Sequence, residues 1–378
     1  MMLEFHMLKN YPPVNLNRDD SGAPKSCFFG GVMRGRISSQ CLKRSWRRSE
    51  VFKSLGSAGM RTRHMPSQVS DILRQRGIDE EYIAVSEKML TGVANKEGKE
   101  NAKGNFTAQI VMYAPEDLER VADKVQAAIA EDGDVKKFKQ RKAKDFVKLF
   151  DDAKVRPITA DIALFGRMVT SEAFRDVDAS MQVAHAISTH AVNRESDYYT
   201  AVDDLLDSRD ENGAGMMGDT DYNSCCYYEY ASLDLDQLRE NLQFSENRDE
   251  LIKRLIPALM RAMAFTNPSG KQNTFAGQVL PSLMLVECKK DKIPLSYVNA
   301  YEEPVATYGA RPQVVQNSIR KLFEEIGTMD EVYQLNVEHR AWLTTKKDMP
   351  AQLKRGEQVQ GFDALCDAVM GWVEEEQP

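Results

Sequence analysis

The sequence lacks several features that would place a protein in a membrane or outside the cell. It has no apolar run approaching the roughly 20 residues of a membrane-spanning helix. The first 11 residues carry Glu4 and His6 and do not form a charged leader followed by a small-residue cleavage site. The six cysteines include no C-x-x-C pair, so they do not indicate a disulfide framework. We therefore expect a cytoplasmic protein with reduced thiols and no membrane partner.

Motifs of common enzyme classes are also missing. The chain contains no G-x-x-x-x-G-K-[ST] loop, no H-E-x-x-H and no G-x-S-x-G. His185 and His190 are five residues apart, a spacing that suits neither one helix face nor a zinc pair. We interpret these histidines as structural, and we expect no catalytic activity, no cofactor and no metal site.

The charge of the whole chain is unfavourable for nucleic acid. The 378 residues are enough for two or three folded units. They include 50 Lys and Arg against 57 Asp and Glu, a net charge of -7. Because such a protein repels polyanions as a whole, binding of nucleic acid would require a local cluster of cations.

One segment, residues 21–49, has such a cluster, with seven cations and no Asp or Glu. A helix is predicted to begin inside it, with Ser38 or Ser39 as the N-cap. At such a point free backbone N–H groups, hydroxyls and cations converge, which suits phosphate and sugar oxygens without reading bases. The alternative is a solvated cationic helix face. The seven cations are Lys25, Arg34, Arg36, Lys43, Arg44, Arg47 and Arg48.

The order of predicted elements indicates an α+β fold. Leu3, Phe5 and Met7 alternate with polar residues, as expected of a half-buried strand. A breaker-rich loop, a cationic helix and a charged helical region follow. The remaining predictions are strands at 158–169, 181–191, 226–233 and 279–288, a polar protruding hairpin at 192–224, a helix at 248–264, and a mainly helical C-terminal third. Strand, helix, strands, helix, strand is the order of a ferredoxin-like sheet with helices on one face, the layout of RNA-recognition modules.

Several motifs, in register over about residues 15–275, resemble a known family. They are Asn17-Arg18-Asp19-Asp20, Phe29-Gly30-Gly31, Arg36-Ile37-Ser38-Ser39-Gln40-Cys41-Leu42-Lys43-Arg44, Asp161-Ile162-Ala163-Leu164-Phe165-Gly166-Arg167-Met168, Ala184-His185-Ala186-Ile187-Ser188-Thr189-His190 and Thr200-Ala201-Val202-Asp203-Asp204-Leu205. Together they resemble the Cascade backbone subunit family, CasC, of type I-E CRISPR systems. Here Val32 and Met33 follow Gly31 where that family tends to have basic residues.

The resemblance implies a right-hand architecture. This is a ferredoxin-like (RRM-like) palm with an inserted helical finger domain and a thumb β-hairpin. The predicted boundaries are palm at 1–58, helical fingers at 59–156, palm strands at 157–191, thumb hairpin at 192–225, and the rest of the palm with C-terminal helices at 226–378.

The resemblance also implies an RNA-binding, non-catalytic function. Copies of the chain would polymerise along one CRISPR RNA and present it for pairing with a target DNA strand. Partners would be the CRISPR RNA, further copies of the chain, and the large, small, guide-5′-end and guide-3′-end-processing Cascade subunits. The RNA-binding residues implied are Asn17, Arg18, Lys25, Arg36, Ser38, Ser39, Gln40, Lys43, Arg44, Arg47, Arg167, Met168, Tyr198, Tyr199, Lys271 and Gln272.

Three alternatives stay open from the sequence. Lys136, Lys137, Lys139, Lys142 and Lys144 are candidates for contact with duplex DNA, or they form a solvated helix face. Backbone subunits of type III complexes are metal-dependent ribonucleases that use a loop aspartate, and Asp19 and Asp20 lie in a comparable loop, where turn formation is the alternative role. A free-standing RNA-binding module also fits the cationic segment but leaves the thumb-like insertion unexplained.

Overall fold

The computed structural model of the chain describes residues 1–56, 58–95, 98–150, 156–201, 216–309, 313–346 and 353–375. These residues form two compact units. The first comprises 1–49, 182–233 and 256–378, and the second comprises 50–181 and 234–255. Val202 to Leu205 of the sixth motif, and the middle of the predicted hairpin, lie outside the described residues.

The fold combines α-helices with a large, mostly antiparallel β-sheet. The strands of the described residues are β1 Met2–Val14, β2 Ser26–Phe29, β3 Val32–Ile37, β4 Met60–Thr62, β5 Val111–Tyr113, β6 Met181–Val183, β7 Ala186–Ser188, β8 Glu195–Ala201, β9 Met216–Asp234, β10 Leu283–Lys289, β11 Val337–Thr344 and β12 Gly356–Gln358. The helices are α1 Ser39–Arg47, α2 Glu50–Lys53, α3 Met65–Gln75, α4 Glu80–Leu90, α5 Pro115–Asp132, α6 Val135–Phe138, α7 Ala143–Val147, α8 Ala160–Phe165, α9 Leu235–Asn241, α10 Arg248–Phe265, α11 Gln272–Phe275, α12 Val314–Tyr333 and α13 Phe362–Glu375.

The large sheet belongs to the first unit. Its strand order is β12-β11-β10-β1-β9-β7-β3-β2, with β6 and β8 also paired to β9. The pairs β1–β10, β10–β11, β7–β9, β3–β7 and β2–β3 are antiparallel, and β11–β12 is parallel. This order places β3 beside β7, so that Arg36 lies opposite Ile187.

Both faces of β1 are covered, which differs from the predicted half-buried strand. Leu8 packs with residues of α12 in one cluster of buried side chains. On the opposite face, Lys9 is buried and its Nζ donates to the carbonyl oxygens of Met263, at 2.7 Å, and Thr266, at 3.3 Å. Because α12 covers the second face, the expectation of helices on one face only is wrong.

The polar positions of β1 are buried in an ionic network. Glu4 and His6 are fully buried. His6 Nε2 lies 3.4 Å from Glu287 Oε2, and Glu287 Oε1 pairs with Arg340 Nε at 2.5 Å. Lys289 pairs with Glu4. The alternation of polar and apolar residues therefore reflects two different buried faces, and the face of Glu4 and His6 carries the ionic network.

The second unit is mainly helical. Its core is formed by apolar residues of α3, α4 and α5, together with the short strands β4 and β5. The region 158–169, predicted as a strand, instead contains α8, which follows Thr159 as N-cap and ends at Gly166 with a φ of 78°. Ala160 to Leu164 are all buried. A short apolar run that is buried on all sides has no periodicity that separates helix from strand.

The described part of the C-terminal third has more helix than strand, and its β10 corresponds to the strand predicted at 279–288. The strands β11 and β12 were not predicted. In α13, Leu365, Val369 and Trp372 are buried, as expected of a helix that packs on the core. No helix in the described residues is both long and apolar enough to span a membrane.

Candidate functional site

The start of α1 is fixed by side-chain hydrogen bonds. Ser38 is the N-cap, and its hydroxyl accepts from the backbone N–H of Cys41 at 3.3 Å. The N–H of Ser38 donates to Oδ1 of Asn17 at 2.9 Å. Ser38 and Ser39 are buried, whereas Gln40 is exposed. The predicted residues Asn17 and Ser38 are thus brought together, and Asn17 Oδ1 holds the loop against the start of α1.

An open groove of about 450 Å³ lies beside this helix start. It brings together the loop that follows β1, one side of α1, and the turn that precedes α11. The groove is lined by Leu16, Asn17, Arg18, Asp19, Asp20, Gly22, Cys41, Arg44, Ser45, Ser269 and Gly270. Three predicted RNA-binding residues, Asn17, Arg18 and Arg44, therefore share one concave surface.

Four cations continue this surface, and we call Lys25, Arg36, Lys43 and Arg44 the cationic face. Arg44 is exposed and the other three are half-buried. Within the part of the chain that the structure describes, none of the four forms an ion pair with a carboxylate. Burial lowers the pKa of Lys43. Burial of a cation without a counterion is costly, so a bound anion would relieve this arrangement.

The seven cations of the segment 21–49 do not all belong to this face. Arg34 is fully buried and donates to the carbonyl oxygens of Phe29, Ser188, Tyr301 and Glu302 at distances between 2.7 and 3.2 Å. Arg47 lies half-buried in the last turn of α1, where a cation also stabilises the helix end. Arg34 is therefore structural.

His185 lies against the cationic face. Its Nδ1 is 3.0 Å from Nη1 of Arg36. Burial, followed by the charges of Arg36, Lys25 and Lys43, lowers the pKa of His185. The interpretation of His190 as structural agrees with its position, since its Nε2 lies 3.1 Å from the backbone N of Cys226 and its Nδ1 lies 2.8 Å from Ala191 O.

A tight turn forms the far wall of the groove. A Cβ added to Gly270 would lie 2.2 Å from Leu16 O and 2.7 Å from Asn15 O, so only glycine fits there. The next residue, Lys271, has a φ of 50°, which is uncommon outside glycine. The amide of Gln272 donates to Pro268 O at 2.9 Å. Lys271 thus follows the groove residue Gly270 in the chain, while the side-chain amide of Gln272 is engaged in its own turn.

Asp19 and Asp20 occupy the same loop with different roles. Oδ1 of Asp19 accepts from the N–H and hydroxyl of Ser21, at 2.9 and 2.6 Å, and from Ala23 N at 3.1 Å. The hydrogen bond from the Ser21 hydroxyl lowers the pKa of Asp19. Asp19 is therefore a turn-forming residue, and Asp20 is exposed beside it.

β8 and the first part of β9 form an exposed two-stranded ribbon. Tyr198 and Tyr199 are 64% and 41% exposed, and they lie opposite Asp219 and Gly218. The hydroxyl of Tyr198 lies 2.9 Å from the sulfur of Met217. Because successive residues of a strand point to opposite faces, the ribbon presents one tyrosine on each face.

The two predicted RNA-binding residues of the second unit, Arg167 and Met168, differ in their exposure to solvent. Arg167 is buried and its guanidinium pairs with Asp117 at 2.5 Å and donates to Arg175 O at 2.8 Å. The prediction that Arg167 contacts RNA does not fit this position, because the side chain is buried and its Nε and Nη1 donate inside the unit. Met168, in contrast, is 87% exposed.

The lysine cluster of the second unit is exposed but partly neutralised. Lys137 pairs with Asp132 at 3.3 Å, and Lys139 pairs with Glu81 at 2.7 Å. The predicted DNA contacts Lys136, Lys137, Lys139, Lys142 and Lys144 are all exposed. Their geometry suits the solvated helix face at least as well as a DNA contact.

One group of side chains in the described residues has a spacing that would suit a metal ion, namely Glu4, His6 and Glu287. Lys289 and Arg340 already neutralise these buried carboxylates. The group therefore functions as an ionic network of the sheet and is not part of the groove.

Sequence reasoning missed three residues of the site. Cys41 and Ser45 face the groove, and His185 adjoins the cationic face. The helical spacing of Cys41, Ser45 and Arg44 was a usable signal for a shared face of α1. His185 had none, because its position beside Arg36 depends on the pairing of β3 with β7, which are far apart in sequence.

Comparisons with known proteins agree with this fold. The profile of the CT1975-like protein family matches residues 3–368. A chain of a "CRISPR RNA-guided surveillance complex, pre-nicking" is 27% identical and superposes with a TM-score of 0.82, covering 98% of this chain and 100% of that one. A chain of another "CRISPR RNA-guided surveillance complex" has the same fold, with 23% identity, a TM-score of 0.71, and coverage of 98% and 100%. No protein of curated function matches the sequence.

Proposed function

The chain belongs to the CT1975-like protein family, and from this premise we propose that it is an RNA-binding backbone subunit of a CRISPR RNA-guided surveillance complex. Its ligand would be the guide RNA, held by phosphates and sugars with the bases left free. The proposed partners are further copies of the chain, the large, small, guide-5′-end and guide-3′-end-processing subunits of such a complex, and the target DNA strand that pairs with the guide.

The observation that carries this proposal is the cationic face beside the groove. Lys25, Arg36, Lys43 and Arg44 have no carboxylate partner in the described residues, although the whole chain carries a net charge of -7. In the second unit, by contrast, Lys137 and Lys139 are neutralised by neighbouring acids. Unpaired cations around a concave polar surface fit a flexible polyanion.

The strand order supports a ferredoxin-like palm as the finer description of the fold. The central strands β10-β1-β9-β7 follow the order 4-1-3-2 when numbered along the chain, with α1 after the first of them and α10 before the last. The second unit would then be the helical fingers, and the ribbon of β8 and β9 the thumb. We keep this division into palm, fingers and thumb as a prediction.

We assign the complex to type I-E, on the motifs around Arg36 to Arg44, and the chain to a non-catalytic role in the cytoplasm. The described cysteines are free thiols, which supports a reducing compartment. We do not favour a metal-dependent ribonuclease. Oδ1 of Asp19 already accepts hydrogen bonds from Ser21 and Ala23 of the same loop, so it serves the turn.

Co-expression of the chain with a CRISPR array and the other subunits tests the proposal. We expect a large particle that contains several copies of the chain on intact RNA of one defined length, measured by native mass spectrometry and denaturing gels. The matched control omits the array, and the large particle should then be absent. A monomer without RNA would overturn the proposal, and RNA cut at regular intervals only with a divalent metal would favour the ribonuclease.

A further inference from the structure

His185 differs from an ordinary surface histidine in its neighbours. It lies between β6 and β7, and its side chain is exposed but in contact with Arg36. The titratable and charged groups that act on its imidazole are Arg36 of β3, Lys25 of the segment before β2, and Lys43 of α1. All three are cations. An anion bound to the cationic face would therefore also lie near this imidazole.

The contact with Arg36 favours the neutral form of His185 in the free protein. Arg36 can only donate, so Nδ1 of His185, at 3.0 Å from Nη1, must accept. The imidazole is then neutral, with its proton on Nε2. Burial and the three cations favour the same state, since each disfavours a further positive charge.

A phosphate on the cationic face would reverse this preference. The guanidinium of Arg36 would turn its donors from Nδ1 of His185 to the phosphate oxygens, because an anion is the stronger acceptor. The released Nδ1 would then be free to take a proton from solvent, and the imidazolium would donate to the same phosphodiester. The negative charge of the phosphate offsets the repulsion from Arg36, Lys25 and Lys43.

We propose that His185 is a further phosphate-binding residue of this face, and that it takes up a proton when a phosphodiester of single-stranded RNA binds. The inference rests on the proposed function and adds to the four cations of the face a fifth binding group, whose contribution depends on pH. Because protonation of His185 accompanies binding, the affinity for RNA rises as the pH falls through the pKa that His185 has in the bound state.

The test measures binding of a labelled oligouridine to the purified full chain by fluorescence anisotropy at constant ionic strength, between about pH 6 and about pH 8. Oligouridine has no group that titrates in this range. We expect the wild-type affinity to increase roughly three- to tenfold over the range, which corresponds to a rise of about half to one pH unit in the pKa of His185 on binding. His185→Gln keeps an acceptor for Arg36 but cannot titrate, so its affinity should stay nearly constant. His339→Gln, on β11, is the matched control and should behave as wild type.

A second measurement does not depend on the folding of a variant. Calorimetric titration of the wild-type chain with the same RNA in two buffers of different ionisation enthalpy gives the number of protons taken up. We expect uptake of a fraction of a proton near neutral pH. Binding with equal pH dependence in wild type and His185→Gln, or with no proton uptake, would overturn this inference alone. Absence of RNA binding by the wild type at every pH would overturn the proposed function and the inference with it.

Discussion

Arg34 and Arg36 are two residues apart on β3 but have different roles, one structural and one at the cationic face. Arg34 is fully buried and holds four backbone carbonyl groups, so it organises the β2–β3 hairpin and the segment around Glu302. Arg36 is half-buried and contacts His185. Charge alone therefore does not identify a binding residue; the accessibility and partners of each guanidinium do.

Removal of charge at Lys43 and Arg44 tests whether these two side chains contact RNA phosphates. Each phosphate contact with a single strand contributes about 0.7 to the slope of log affinity against log salt concentration. The double variant Lys43→Gln/Arg44→Gln should flatten this slope by about 1.4 if both cations contact phosphates. The affinity should fall to a similar extent for RNAs of different sequence, because the contacts do not read bases. Fluorescence anisotropy over a series of salt concentrations measures both quantities.

The matched control for this double variant is Lys137→Gln/Lys139→Gln. Those lysines are exposed but paired with Asp132 and Glu81. They should leave the salt slope unchanged. If the slope of Lys43→Gln/Arg44→Gln equals that of the wild type, the cationic face does not contact phosphate.

Single residues of the site were only partly predictable from the sequence. The N-cap Ser38 and the exposed cation Arg44 follow from local rules, since capping and helical spacing act within one turn. The burial of Arg34 and Arg167 depends on distant partners, namely Ser188 and Tyr301 for the first and Asp117 for the second. No local pattern distinguishes those two arginines from exposed ones.

At the scale of elements, short segments account for most of the differences from prediction. The residues 12–31 read as one long loop, yet β2 and β3 form a hairpin through Gly30 and Gly31, whose φ values are 59° and 75°. A Gly-Gly pair between two short apolar runs is a hairpin signal, so this element was predictable. The long helix α10 agrees with the helix predicted at 248–264, because a helical pattern over 18 residues is unambiguous.

At Gly270, the turn before α11 packs directly against the backbone of the segment that follows β1. A Cβ there would lie 2.2 Å from Leu16 O and 2.7 Å from Asn15 O, and these backbone atoms cannot move as a flexible side chain can. Gly270→Ala should therefore lower the free energy of unfolding by about 1–3 kcal/mol. It should also weaken RNA binding, because it displaces the wall of the groove. Urea denaturation and anisotropy measure the two effects.

Gly371, inside α13, provides the opposite control. A Cβ at this position would meet nothing within 4 Å. Gly371→Ala should raise the free energy of unfolding by about 0.5–1 kcal/mol, since alanine loses less entropy in a helix, and should leave RNA binding unchanged. Equal stability of Gly270→Ala and wild type would show that the turn adapts and does not define the groove.

At the scale of the whole molecule, charge is segregated. The chain has a net charge of -7, but the cationic face is without carboxylate partners in the described residues. Under the proposed function, this face would attract the guide RNA and orient the chain on it. We predict that copies bound to one RNA in the same orientation contact each other head to tail, an arrangement that extends along the strand and does not close.

We predict that the ribbon of β8 and β9 acts between such copies. Its strand β8 is exposed along its whole length, and Tyr198 and Tyr199 lie on opposite faces. Stacking of a base on an aromatic ring contributes about 1–3 kcal/mol and tolerates any base. A ribbon with a ring on each face can therefore separate two neighbouring bases of a guide.

We expect Tyr198→Ala/Tyr199→Ala to retain RNA, because the cationic face is intact, but to impair the order of the assembly and its pairing with target DNA. Native mass spectrometry and electron microscopy report the assembly, and a gel shift with complementary DNA reports target pairing. Tyr308→Ala is the matched control, since Tyr308 is 83% exposed in the first unit but is not part of the ribbon, and it should behave as wild type. If the double variant lost RNA and assembly in equal proportion, the tyrosines would be ordinary RNA contacts of a single copy. If assembly and target pairing were both unchanged, the ribbon would have no role between copies.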